Sequence, residues 1–412
     1  VVSPFTADGE RLVAIRAALP SLAAGIQLNT GTAGPMPAEV STVMAELAEY
    51  ERTVGRSHYD YYLETLERMN EARAGVAVIL GAELGEVALT HAATDGMNLA
   101  TLALDWHPGD IAVTTTHEHA AALGPLIALR DRMGIEVRFV DIGDGSDDEA
   151  TLAAFDRAIV PGTRLVSVSH VLWTTGARLP LGRIAELAHE RGAVIIADGA
   201  QAAGAIRVAV HETGVDAYAL PAQKWLLGPE GMGALWVLPA SLDRLRPALA
   251  GHLSFAEHDA TGRATWQPDA RRFEASNFHR PSIAGMARAI GWLSMEVGLE
   301  LVQRRGPSMA RLAADRLASI PGVRVLTPRE RMATLVTFRL AGWPAQAALD
   351  ELAARTFAVA RTIPSLDALR ISVGFFTSEE ELERFLDGVR LLAAHTPQTI
   401  PPRRTLPILG TS

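Results

Sequence analysis

The chain contains no cysteine. That removes disulfides, thiolate metal ligands and every mechanism needing a cysteine nucleophile or persulfide carrier. It also lacks any apolar run near the roughly 20 residues of a membrane helix; stretches such as Ala193–Ala197 have the length of a buried strand. The opening residues VVSPFTADGERLVAIRAALP carry no basic segment followed by a continuous apolar one, so no secretory signal is evident and a cytoplasmic location is expected. Surplus positive charge is missing too: 38 Lys and Arg stand against 47 Asp and Glu, a net charge of −9. Such a surface offers no general attraction to phosphate backbones or anionic lipid, so neither a nucleic-acid nor a membrane partner is expected. Lysine is almost absent. Lys224 is the only one, and every other cationic side chain of the Lys/Arg type is arginine. Biased coding accounts for arginine on a surface, but not for the survival of one lysine, whose chemistry arginine cannot supply.

What is present is 412 residues, 48% of them apolar, enough for two or three compact lobes. From about residue 75, short apolar or β-branched runs alternate with longer amphipathic ones. Val76–Leu80, Val87–Thr90, Ile111–Thr115, Ile135–Asp141, Leu165–Ser169 and Val194–Asp198 read as strand-like runs. Asp95–Leu104, Ala120–Met133, Glu149–Ala158 and Leu181–Arg191 read as helices. This alternation predicts βα units with a mostly parallel sheet, whose C-terminal strand ends line the ligand crevice. Beyond about 240 the pattern changes. Pro247–Pro268 is turn-rich and suits a crossing; Ile283–Glu296 and Leu299–Ile320 are strongly helical. Strands near Val323–Leu326, Leu335–Arg339 and 369–374, with helices at 345–355 and 378–395, predict a smaller α+β lobe. The closing PQTIPPRRTLPILGTS is Pro-rich and reads as an arm or tail.

Two segments carry chemistry. Residues 194–204, VIIADGAQAAG, deliver Asp198 to the end of an apolar strand, where a carboxylate is costly unless it meets a cation or donors. Residues 216–233, DAYALPAQKWLLGPEGMG, set Lys224 between an apolar stretch and a glycine-rich turn. Taken singly, the first could be a turn-forming Asp-Gly and the second a surface lysine. Together, a lysine, an acid at a strand end and phosphate-binding turns are what pyridoxal phosphate chemistry requires. The lysine forms an imine with the cofactor aldehyde, and the acid keeps the pyridine nitrogen protonated. The spacing of His117-Glu118-His119 fails the zincin pattern because position 121 is alanine, and GPEGMG has its glycines in the wrong order for a dinucleotide fingerprint.

The ordered stretches LNTGTAGP (28–35), THAATDGMN (90–98), THEHAA (116–121), SHVLWTTGARLPL (169–181), ADGAQAAG (197–204), QKWLLGPEGMG (223–233), RRFEAS (271–276) and LRISVGFF (369–376) resemble the class V aminotransferase family. That family is of pyridoxal phosphate fold type I and includes cysteine desulfurases, isopenicillin N epimerase-like proteins and cystine C–S lyases. The resemblance implies an α/β fold: an N-terminal segment (1–30) packing on the small domain, a large cofactor-binding domain (31–260), a small C-terminal domain (261–396) and a tail (397–412). It implies Lys224 as the cofactor lysine, Asp198 at the pyridine nitrogen, Gln201 donating to the phenolic oxygen and His119 over the ring. Ala93 and Thr94 would bind the phosphate at a helix N-terminus. Arg370 would clamp the substrate carboxylate bidentately, with Arg361 a second anion-binding candidate and Asn29 and Gly31 bordering the entrance. A homodimer with interfacial active sites is implied as well.

The departures are informative. Where desulfurases have Ser-x-His-Lys, this chain has Pro221-Ala222-Gln223-Lys224, losing one phosphate donor, and Gln223 stands in for the histidine. The Gly-Thr lent by the neighbouring subunit becomes Ser276-Asn277, leaving Asn277 to bond phosphate across the dimer interface. The asparagine that often contacts the phenolic oxygen falls at Trp173, and Trp173 and Trp225 are read either as walls of a substrate pocket or as core residues. Lys-Trp after the cofactor position resembles the cystine C–S lyase branch. With no cysteine, a persulfide-forming desulfurase is not expected. The leading expectation is β-elimination from an S-substituted cysteine, with transamination or epimerisation of an amino acid as the alternative. A non-catalytic sensor or scaffold on the same fold is a third reading, disfavoured because Lys224, Asp198, His119 and Arg370 are all retained.

Overall fold

The computed structural model describes residues 8–403. Its element order begins with helices α1 (Asp8–Ala17), α2 (Ala38–Thr53) and α3 (Tyr59–Leu80), with the short strand β1 (Ile26–Gln27) between the first two. A βα succession follows: β2 (Val87–Thr90), α4 (Ala93–Leu102), β3 (Ile111–Thr115), α5 (Ala120–Met133), β4 (Glu136–Val140), α6 (Asp148–Ala158), β5 (Thr163–Ser169), α7 (Leu181–Glu190), β6 (Val194–Asp198), β7 (Ala217–Pro221) and β8 (Gly233–Val237). These strands form one seven-stranded sheet in the order β2-β8-β7-β6-β5-β3-β4. From β7 to β4 the pairing is parallel, and β8 runs against both its neighbours. Strands β5 to β8 are buried on both faces, apart from Arg164. Their near-continuous Val, Ile, Leu and Ala content is what a sheet covered on both sides demands.

The exposed hairpin β9 (Phe255–His258) and β10 (Ala264–Trp266) follows, then α8 (Arg280–Gly291) and α9 (Leu299–Ala318), joined through a wide helical turn over Trp292–Gly298. The last lobe holds a four-stranded antiparallel sheet of β11 (Val323–Val325), β12 (Leu335–Leu340), β14 (Arg361–Ile363) and β15 (Ala368–Ser372), ordered β11-β12-β15-β14. Its other elements are β13 (Ala358–Val359) and helices α10 (Ala345–Thr356) and α11 (Glu379–Ala393). β1 crosses from the N-terminal segment to pair with β13, and Ile26 and Leu28 join this lobe's apolar core. Ile15 and Leu19 pack instead into the core of the large sheet. Ile283, Met286, Ile290, Leu301 and Val302 belong to that larger core as well, so the two cores divide inside α9.

Three sequence expectations change. Val76–Leu80 is not a strand but the last turns of α3, because its apolar residues continue the helical series Met69, Ala72 and Val76 and end at Gly81 in the left-handed region (φ 66°). The apolar stretch before Lys224 and the one after Gly231 are both strands, β7 and β8. Within Pro247–Pro268 the chain makes a hairpin rather than a bare crossing. Of the Pro-rich tail, 397–403 is described: Arg403 pairs with Glu351 and Pro401 O accepts from Arg355, while 404–412, like 1–7, lies outside the described residues.

Candidate active site

The C-terminal ends of the parallel strands converge on a cavity of about 170 Å³. β6 ends at Asp198, and β7 leads through Pro221 to Gln223 and Lys224. The loop after β3 brings His119, and β5 ends at Ser169 and continues to Trp173. From the small lobe come Arg361 of β14 and Arg370 of β15; the N-terminal segment adds Gly31 and Thr32, and the start of α4 adds Ala93 and Thr94. Of the residues singled out from sequence, only Asn29, Trp225 and Asn277 do not line this cavity. Asn29 bridges to Ser372 and accepts from Thr32 Oγ1 at 2.9 Å, two residues before the cavity wall. Asn277 is exposed and bonded to His252 at 3.2 Å. Trp225 is a core residue, 3% exposed, and only Trp173 walls the cavity.

Local packing fixes the lysine turn. Gly34 N–H donates to Gln223 O at 2.8 Å, and a Cβ at position 34 would meet Lys224 O at 2.4 Å, so only glycine lets the 29–34 loop press on that turn. Beside Asp198, a Cβ on Gly199 would fall 1.9 Å from Tyr218 Cε1, which holds the strand end against the buried tyrosine. Asp198 accepts from Ala200 N–H at 2.9 Å through one oxygen, and its other oxygen has no partner among the described residues. Gln201 is clamped: Nε2 donates to Gly31 O at 2.9 Å and Oε1 accepts from Trp225 Nε1 at 3.0 Å. One amide hydrogen of Gln201 therefore remains to offer the cavity.

The electrostatics favour reactive groups over inert ones. Burial pushes the Lys224 amine down to about 8; Asp198 opposes this, while Arg370 and Arg361 add to it. Arg370 is 0% exposed and is pushed down to about 9, first by burial and then by Arg361. Its Nη1 donates to Trp173 O at 2.8 Å, but Nε and Nη2 have no partner. Two buried, unpaired guanidinium donors are costly unless an anion takes them. Arg361 lies over the Trp173 ring, 5.3 Å from its centroid, and the buried Trp173 Nε1 is also unpartnered. His119 is held low by burial and by Lys224. Its Nδ1 accepts from Ala121 N–H at 3.2 Å, so the neutral ring carries its proton on Nε2. It meets Trp173 edge-on at 5.4 Å.

These features fit pyridoxal phosphate: a buried amine that deprotonates readily, a carboxylate with a free oxygen, and an uncapped N-terminus at Ala93 and Thr94 for a phosphate. Sequence reasoning missed Glu118 and Ser169. Glu118 sits beside His119 in THEHAA, but its role depends on Ser169, 51 positions away.

Comparison with known proteins agrees. The aminotransferase class-V family model matches residues 27–385. The structure of the cystine C–S lyase C-DES with its reaction product cysteine persulfide superposes with a TM-score of 0.85 at 26% identity, covering 90% of this chain and 99% of that one. Isopenicillin N epimerase of Streptomyces clavuligerus is 30% identical over 391 residues, 89% of this chain and 94% of its own. A cysteine desulfurase of Haloferax volcanii is 30% identical over 359 residues, 82% of each. The fold and site define a pyridoxal phosphate-dependent enzyme of fold type I. The chain belongs to the aminotransferase class-V family.

Proposed function

We propose that the protein is a C–S β-lyase, eliminating the thiol side of an S-substituted cysteine to leave pyruvate and ammonia. The observation that carries this reading is a complete site for α-proton removal in a chain with no cysteine to take up sulfur. The likeness to the cystine C–S lyase supports it. Relatives named cysteine desulfurase share the fold, but the chain offers no thiol to accept a persulfide.

Bound at Lys224, the cofactor supplies an electron sink for the bonds at Cα. Arg370 binds the substrate α-carboxylate through its two free donors, which orients Cα toward Lys224. The Lys224 amine then takes the α-proton, a role suited to a group that burial brings to about 8. Asp198 would hold a proton on the ring nitrogen, Gln201 would donate its remaining amide hydrogen to the phenolic oxygen, and Ala93, Thr94 and Gln223 would hold the phosphate. His119 would cover the ring face. Arg361, stacked on Trp173, receives a second anionic group, such as the distal carboxylate of a disulfide amino acid. Asn29 and Gly31 border the entrance. Asn277, exposed and outside its own subunit's cavity, would be placed to hold the phosphate of a second copy in a cytoplasmic homodimer.

Incubation with cystine and with larger cysteine S-conjugates, followed by a pyruvate assay, tests the reading. Pyruvate from at least one is expected; none, with α-proton exchange intact, would refute it. The epimerase relative keeps a second reading alive. Solvent deuterium entering Cα with the side chain retained, or accumulation of the pyridoxamine form, would select epimerisation or transamination.

A further inference from the structure

Glu118 is 5% exposed and forms no ion pair among the described residues. One of its carboxyl oxygens takes the Thr115 hydroxyl at 2.7 Å, and the other takes the Ser169 hydroxyl at 2.5 Å. Ser169 ends β5, pairs in register with Asp198 at the end of β6, and lines the cavity. Its hydroxyl thus stands between a buried carboxyl group and the cofactor pocket. A hydroxyl has one proton to give and two lone pairs to receive with. When Glu118 is ionised, the Ser169 proton points away from the cavity, toward the carboxylate. When Glu118 is protonated, the carboxyl O–H can donate to Ser169 Oγ, and the serine proton is free to turn into the cavity.

We propose that Glu118 is a positioning residue that holds a proton and acts through Ser169, setting whether the cavity floor beside Asp198 presents a hydrogen-bond donor or an acceptor. The proposal rests on the cofactor reading for its consequence, because in that reading Asp198 would pair with the pyridine nitrogen beside Ser169.

Its surroundings let the proton come and go near neutrality. Burial pushes the Glu118 carboxyl up to about 7, and the negative charge of Asp198 adds to this, while the bonds from Ser169 and Thr115 oppose it. The other titratable groups near the strand ends have separate partners or face the cavity. His170, following Ser169, is pushed down to about 4 by burial and bonds Tyr218 at 2.8 Å. His117 bonds Thr174 at 2.7 Å and Gly143 O at 2.6 Å. His119 and Lys224 line the cavity. Asp198 is the charge that acts directly on Glu118.

Infrared spectroscopy of the cofactor-free protein reads the proton itself. A carboxylic-acid carbonyl band titrating with a midpoint near 7 is expected, lost in Glu118→Gln and moved to higher pH in Ser169→Ala, where the carboxylate loses a donor. With pyridoxal phosphate bound, the visible band should shift with the same midpoint. Glu118→Gln and Ser169→Ala should each abolish that shift, while Thr115→Val should move its midpoint upward and keep it. No titrating carboxyl band, or a visible shift that survives in Ser169→Ala, would overturn the proposal. An intact infrared titration in a protein that gives no visible band would sink the cofactor reading alone, and the Ser169→Ala infrared shift would still support the link between the two side chains.

Discussion

Burial holds Lys224 at about 8 instead of the ordinary 10.5, and the charged groups around it act with opposite signs that can be separated. Below both values this raises the neutral, nucleophilic fraction of the amine roughly 300-fold. The rate of covalent capture of pyridoxal phosphate by cofactor-free protein, followed by visible absorbance, should rise with pH and level off near 8. Asp198 raises the lysine value, so Asp198→Asn should move that break to lower pH; Arg370 lowers it, so Arg370→Gln should move the break to higher pH. The same displacement has a cost in stability. Between about 8 and 10.5 the unfolded chain binds the proton that the folded chain has released, so stability rises with pH through that window. Below about 8 the charged amine costs on the order of 3 kcal/mol, an upper bound because solvent screens part of it. Lys224→Met should therefore be more stable than the wild-type cofactor-free protein at pH about 7 in urea titrations, and the difference should shrink above pH about 9. A capture rate that levels off only near 10, or an Asp198→Asn variant whose break moves upward, would refute the electrostatic reasoning.

Arg370→Lys removes the planar fork while keeping the charge, so substrate α-carboxylate binding should suffer. A loss of about 100-fold in kcat/KM is expected, on the order of 3 kcal/mol, measurable with any accepted amino acid, whereas an α-amino compound lacking the carboxylate should be handled equally by both proteins. Gly199→Ala forces a methyl group into the Tyr218 ring and should cost about 1–3 kcal/mol of stability. Thermal denaturation of Gly199→Ala, alone and with Tyr218→Ala, checks this: the second change should recover part of the loss, because it empties the space the methyl needs.

Much of the framework was legible because its strands are buried on both faces and its helices amphipathic. β3, β5 and β6 carry the apolar run that a covered parallel sheet requires, and their ends were read within a residue or two. The last turns of α3 were not, because Val76–Leu80 taken alone has the length and β-branching of a strand, and its helical period shows only when joined to Met69 and Ala72. β7 and β8 are apolar but short, and Pro221 and Gly233, which a strand pattern does not favour, stand opposite each other where two backbones approach closely. In the site, Lys224, Asp198, His119 and Arg370 were readable from motif and rarity. Trp225 was not separable from Trp173 by sequence, since only packing sends one indole to Gln201 and leaves the other open to the cavity. The bond between Ser169 and Glu118 joins the end of β5 to the loop after β3, and nothing along either segment announces it.

Mass spectrometry of the protein after loading with pyridoxal phosphate and reduction with borohydride asks the most direct question. Peptide mapping should find the phosphopyridoxyl group on Lys224, the one lysine in the chain. A stable adduct on another amine, or none in protein that remains folded, would contradict the account.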